Sequence, residues 1–153
     1  MLKFFKTNKY IYQFYLSNAI YEDIFKIYKN CSINEIKSFF IQQNNYLKKG
    51  KIKIQQINRY LFYISIYTYN VEDIEKIQNY IYNHHELFPP WIVFPNLMQG
   101  TPRWNQGYEE DYNKNYWIPM FLSFDQRQKD KYLLKFNCPK EWKIWLEDNY
   151  EKL

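Results

Sequence analysis

Few side chains in this chain are placed to do chemistry. The two histidines, His84 and His85, are adjacent and are followed by Glu86. Neighbouring side chains on a helix diverge by about 100°, whereas two helical metal ligands must fall at i and i+4. The pair therefore reads as a helix C-terminus meeting the dipole, and no metal site is expected. Glu109, Glu110 and Asp111 form the densest acidic run, close to Arg103 and Trp104. Paired carboxylates run hydrolysis when one has a raised pKa and a cleft holds the substrate. Consecutive acids ahead of a helix more often complement its N-terminal dipole, so this run reads as a helix start or a protein-binding patch. Cys31 and Cys138, 107 residues apart, form no disulfide framework and sit in no catalytic signature. They read as two free thiols in a reducing compartment. No serine combines a plausible base with a nucleophile-elbow context, and three glycines leave nothing for a Gly-rich phosphate loop. The expectation is a protein without catalytic residues, cofactor or metal.

Binding chemistry has more to work with. Lys48, Lys49, Lys51, Lys53 and Arg59 run with no intervening acid, and Tyr46, Tyr60 and Tyr63 lie among them. Lysine and arginine neutralise phosphates and tyrosine rings stack on exposed bases, so this is a possible nucleic-acid patch. It lacks a recognisable reader motif, and a solvated helix end is the plainer reading. Net charge is +5. Residues 1–88 carry 12 Lys and Arg against 7 acids, while 89–153 carry 9 against 9, so all the excess lies in the first half. The Lys, Ile, Asn and Tyr bias also fits AT-rich coding.

The elements that must position these groups read as helices. A length of 153 residues, 46% of them hydrophobic and 22% aromatic, suits one domain spanning 1–153 with a sizeable core. Apolar residues over 10–28 fall broadly at helical spacing. Ser32 to Glu35 match a capping box that opens a helix over 33–49, with Gly50 as its stop. Residues 51–69 are ambiguous. Ile54, Ile57, Leu61 and Ile64 fit a helix, whereas 60–69 is β-branched and aromatic enough for a strand; a buried helix is favoured. Asn70 caps a further helix whose inner face is Val71, Ile74, Ile77 with Gln78, and Ile81, ending by Pro89-Pro90. Four of six prolines and two of three glycines fall in 89–108 beside Trp91 and Trp104. That composition predicts an ordered, irregular loop, where binding residues tend to sit. Helices then follow over 110–122 with a kink at Pro119, from a second capping box at Ser123 to Gln126 through Phe136, and from Pro139 to Tyr150 with a Trp142, Trp145 and Leu146 stripe. The expected fold is an all-α bundle of about seven helices, with helical halves 1–88 and 109–153 joined by the loop. No apolar window is long enough for a membrane span, and no leader pattern opens the chain, so the expected location is cytoplasmic.

The second half resembles a known kind of sequence. Pro89-Pro90-Trp91-Ile92-Val93-Phe94-Pro95, then Gly100, Trp104 and Gly107, then Glu109 to Tyr112 follow a PPWIxFP…W..G..E.Y signature. The Tyr116-Trp117, Ser-x-x-Gln and Glu141-Trp142 tail continues it, and together they cover roughly 87–146. The signature is similar to that of small bacterial proteins without assigned enzyme activity, of the kind that serve as immunity proteins against contact-delivered toxins. The resemblance implies a cognate protein toxin as partner and neutralisation by occlusion. Because Tyr, Trp and Arg are the favoured anchor types, the expected partner-binding residues are Trp91, Arg103, Trp104, Tyr108, Glu109, Glu110 and Asp111, with both tryptophans, Trp91 first, the alternative candidates for a core that holds the loop down. The basic charge departs from the acidic character usual for inhibitors of basic nucleases. A nucleic-acid binder using the lysine patch, or a mobile-element inhibitor of a host factor, is the alternative.

Overall fold

The structure, a computed structural model, describes residues 9–17, 33–38, 40–41, 50–84 and 86–150. The fold is mixed α/β rather than the all-α bundle expected. The chain divides into two compact units, Met1–Glu86 and Leu87–Leu153.

The first unit is built on a three-stranded antiparallel sheet of β1 (Tyr10–Ser17), β2 (Gly50–Asn58) and β3 (Leu61–Thr68), in the order β1-β3-β2. Residues 10–17, 51–58 and 61–68, expected as helix, are therefore strand. The 3–4 spacing of Ile54, Ile57, Leu61 and Ile64 imitated a helical stripe across what is a hairpin turn. The turn at Arg59 and Tyr60 contains no glycine and no left-handed residue. It is closed by Asn58, whose Oδ1 accepts the Tyr60 N–H at 2.9 Å. A turn without the left-handed pair splays its strands, and the register irregularity between Gln56 and Asn58 absorbs the mismatch. Gly50, expected to stop a helix, opens β2 instead.

Register assigns the faces. Tyr12, Phe14 and Leu16 lie opposite Ile66, Ile64 and Phe62, with Ile52 and Ile54 on the far side of the same residues. This apolar face is the core of the unit, and the ring of Phe40, just beyond α1 (Ile33–Ser38), packs edge-on to Phe14 at 6.1 Å. The expected capping box at Ser32 and most of 39–49 lie outside the described residues. The other face carries Gln13, Tyr15, Tyr63, Ser65, Tyr67, Lys51 and Lys53. It is buried at the Leu61 end and open at the Tyr67 end.

α2 (Val71–His84) starts as Asn70 predicts. Asn70 Oδ1 accepts from the Glu72 amide at 3.1 Å, and its amide side chain donates to buried Asp73, which also takes the Thr68 hydroxyl at 3.1 Å. Ile74, Ile77 and Ile81 are buried, whereas Val71, counted on the inner face, is exposed.

In the second unit, α3 (Pro90–Val93) and a 3-10 turn (Pro102–Asn105) interrupt the irregular segment. α4 (Gly107–Tyr112) passes through a π-helical turn (Asn113–Trp117) into α5 (Ile118–Ser123). Pro119 explains the wide turn: it has no N–H to give and its ring crowds the carbonyl four residues back. The Ile118 N–H accordingly bonds the Asn113 carbonyl, five residues back. α6 (Gln126–Lys135) begins at a capping box made by Asp125 and Gln128, two residues later than Ser123 suggested. Ser123 instead donates its hydroxyl back to the Met120 carbonyl at 2.6 Å. α6 ends in a paired reverse-bonded cap, Cys138 N–H to Leu133 and Asn137 N–H to Leu134, with Asn137 at φ 47° in the place glycine usually takes. α7 (Lys140–Tyr150) buries Trp142 and Leu146.

Candidate functional site

The irregular segment after Leu87 is held by side chains from the helices around it. Leu87 and Phe88 precede two prolines that offer no amide hydrogen, so their backbone oxygens need partners from elsewhere. Tyr132 supplies one hydroxyl to the Leu87 carbonyl and Tyr112 supplies another to the Phe88 carbonyl. Tyr132 in turn accepts the Trp117 indole N–H at 2.9 Å, and all three of these rings are fully or almost fully buried. Burial without a compensating charge pushes the Tyr112 phenol well above its ordinary value of 10.0. It therefore stays protonated and keeps donating.

All five tryptophans belong to this unit and meet in one cluster. Trp91 stands edge-on to Trp117 at 5.8 Å and lies 5.3 Å from Trp142. Trp104 lies 5.2 Å from Trp142 and 5.3 Å from Trp145. Tilted and edge-to-face pairs of this kind each contribute roughly 0.5–1.5 kcal/mol beyond their burial. Trp91 also donates its indole N–H to the Phe136 carbonyl at 2.9 Å. Trp104, only 6% exposed, presents no ring to a partner, and Trp91 is half-buried. Their role in the structure is to lock the segment down.

The segment leads into α4, whose first turn carries the polar run. Gly107, at φ 61°, turns the chain into α4. Tyr108 is 38% exposed, and Glu109, Glu110 and Asp111 are half-buried beside it. Glu110 pairs with Lys114 at 2.6 Å and Asp111 accepts from the Asn115 amide at 2.8 Å. Both are i,i+4 contacts that hold the carboxylates to the helix. Glu109 makes no ion pair among the described residues. Arg103 belongs to the 3-10 turn, and its side chain lies outside what the structure describes. Next to this turn, Asn96, Leu97, Met98, Thr101 and Pro102 line a hollow of about 380 Å³, with Met98 69% exposed at its edge.

The lysine patch is regrouped by the sheet. Lys48 and Lys49 lie outside the described residues. Arg59 folds over the Tyr60 ring, 4.4 Å from its centre, in the hairpin turn. Lys51 and Lys53 point to the open face at the other end of β2, where Lys9 and Tyr67 join them. Neither Lys9 nor Tyr67 was legible as part of a site, because each meets the lysines only through strand register.

Cys138 borders a hollow of about 700 Å³ with Leu133, Leu134 and Lys143. Desolvation pushes its thiol up to about 11 despite the opposing pull of Lys143, which makes it a poor nucleophile near neutral pH. No group of three or more His, Cys, Asp or Glu is placed to hold a metal among the described residues; the His84 side chain and His85 lie outside them. No helix among those residues is long and apolar enough to cross a membrane. Comparison with family models, curated proteins and solved structures finds no match for this chain.

Proposed function

We propose that this chain is a non-catalytic immunity-type protein that binds and neutralises a protein toxin by covering its working surface. The observation that carries the reading is the presentation of the first turn of α4, Tyr108 to Asp111, directly after a segment pinned by buried contacts. A segment too irregular to be stiff by itself is anchored through two tryptophans and two buried tyrosine hydroxyls. Pre-organisation lowers the ordering cost of association, so a small exposed surface of this kind binds better than its area alone suggests. Tyr108 supplies the aromatic anchor, with exposed Met98 as a second apolar contact, and Glu109 supplies charge at the rim. Trp91 and Trp104 serve this surface from beneath.

The test is growth rescue. The reading frame immediately upstream of this gene is expressed alone and together with this chain. The proposal expects toxicity that the wild-type chain relieves and that a Tyr108→Ala, Glu109→Arg variant relieves poorly. An upstream product that is harmless, or one rescued equally by the variant, overturns it.

A further inference from the structure

We propose that the open face of the sheet in the first unit binds single-stranded nucleic acid, with its phosphates on Lys9, Lys51 and Lys53 and a base against Tyr67. This surface belongs to the first unit and Tyr108 to the second, and the proposal does not depend on the reading given to Tyr108.

Strand register gathers the site. Lys51 lies directly opposite Tyr67 across β2 and β3, and Ile11 lies opposite Tyr67 from β1. Lys53, two residues along, comes up on the same face as Lys51. Lys9 Nζ stands 4.9 Å from the centre of the Tyr67 ring and Lys53 Nζ 5.4 Å from it. Two ammonium groups are thus drawn to one ring, each by a cation–π attraction of roughly 0.5–1 kcal/mol at an exposed site, although they repel each other. Among the described residues no carboxylate forms an ion pair with Lys9, Lys51 or Lys53. A polyanion supplies counter-charge to all three.

Lys53 also borders a hollow of about 420 Å³ along β2, walled by Lys37, Ile52, Ile54, Gln55, Tyr63 and Ser65, with no acid among the described residues. Ser65 there accepts the Gln13 side-chain amide at 3.1 Å and Tyr63 lies 4.9 Å from Tyr15, which leaves the hollow polar with a second tyrosine ring in its wall. Tyr63 and Tyr67 are four residues apart on β3, a span of about 13 Å. That distance suits a short stretch of chain rather than a single nucleotide. An aromatic ring on an open sheet meets the faces of unpaired bases, which a duplex keeps stacked internally, so the single strand is the form that fits.

The experiment is fluorescence anisotropy of labelled oligo(dT) and oligo(U) titrated with the full chain at about 50 and about 200 mM salt. Three phosphate contacts at a slope near −0.7 each predict roughly a 20-fold loss of affinity over that range. Lys53→Gln should lower the slope by about 0.7, and Tyr67→Leu should weaken binding roughly tenfold at either salt. Lys131→Gln, on exposed α6 of the other unit, should change nothing, and circular dichroism should show every variant folded. No saturable signal at the lower salt overturns the proposal. So does binding that Tyr67→Leu and Lys53→Gln leave intact, in which case the lysines only keep the exposed edge of β2 from pairing with other chains.

Discussion

Replacing Tyr132 with phenylalanine removes a single oxygen and strands two buried polar groups. The Trp117 indole loses the acceptor it meets at 2.9 Å, and the Leu87 carbonyl loses its donor. Trp117 has no exposed surface and Tyr132 is 1% exposed, so water cannot stand in without opening the core. Each buried group left unpaired costs about 1–3 kcal/mol, which puts the pair at roughly 2–6 kcal/mol, a large share of the stability of a small unit. The assay is denaturant unfolding followed by tryptophan fluorescence. Because all five tryptophans lie in Leu87–Leu153, the signal reports that unit alone. In a Trp117→Phe background there is no indole N–H to strand, so the same replacement should cost about 1–3 kcal/mol less. A Tyr132→Phe variant within about 0.5 kcal/mol of wild type, or an equal cost in both backgrounds, would refute the argument that these hydroxyls hold the segment after Leu87.

Asp125→Ala should lose about 1 kcal/mol in thermal unfolding because it removes the true cap of α6, whereas Ser123→Ala should stay within about 0.5 kcal/mol of wild type; the reverse order would move the helix start. Asn137→Gly should gain up to about 1 kcal/mol, since Asn137 sits at φ 47°, where a side chain is strained; a loss by the same measurement would deny the left-handed cap. In a Cys31→Ser background, alkylation of Cys138 should accelerate through about pH 11 rather than near 9.0. Because the folded value lies above the unfolded one, stability should fall as pH rises from about 9 to about 11 and be insensitive to this thiol below that window. An alkylation midpoint near 9.0 would contradict the burial of the thiol.

The parts of the fold that were legible in the sequence are those where one residue type satisfies one local need. Asn70 marks the start of α2 because its side chain caps a free amide, and Trp142 with Leu146 mark α7 because they fall on one helical face. The sheet was not legible for a physical reason. β3 is the central strand, with one face in the core and the other buried at its Leu61 end, so it shows a continuous apolar run instead of alternation. β1 carries aromatics on both faces, which also blurs the period of two. The hairpin between β2 and β3 is turned by an asparagine side chain rather than by the Asn-Gly pair that announces such turns. The candidate surface divides in the same way. Pro and Trp composition pointed to an irregular 89–108, where the structure carries α3, a 3-10 turn and the start of α4, but which aromatic faces outward depends on packing partners such as Trp142 and Phe136, remote in sequence.

The most direct test of the proposed role is affinity purification of the tagged chain from its native lysate after nuclease treatment, with recovered proteins quantified by mass spectrometry. The proposal predicts one protein partner at about equal molar amount, the product of the neighbouring reading frame, retained by the wild type and depleted with Tyr108→Ala, Glu109→Arg. Recovery of no partner, or of one that the variant holds equally well, would contradict it.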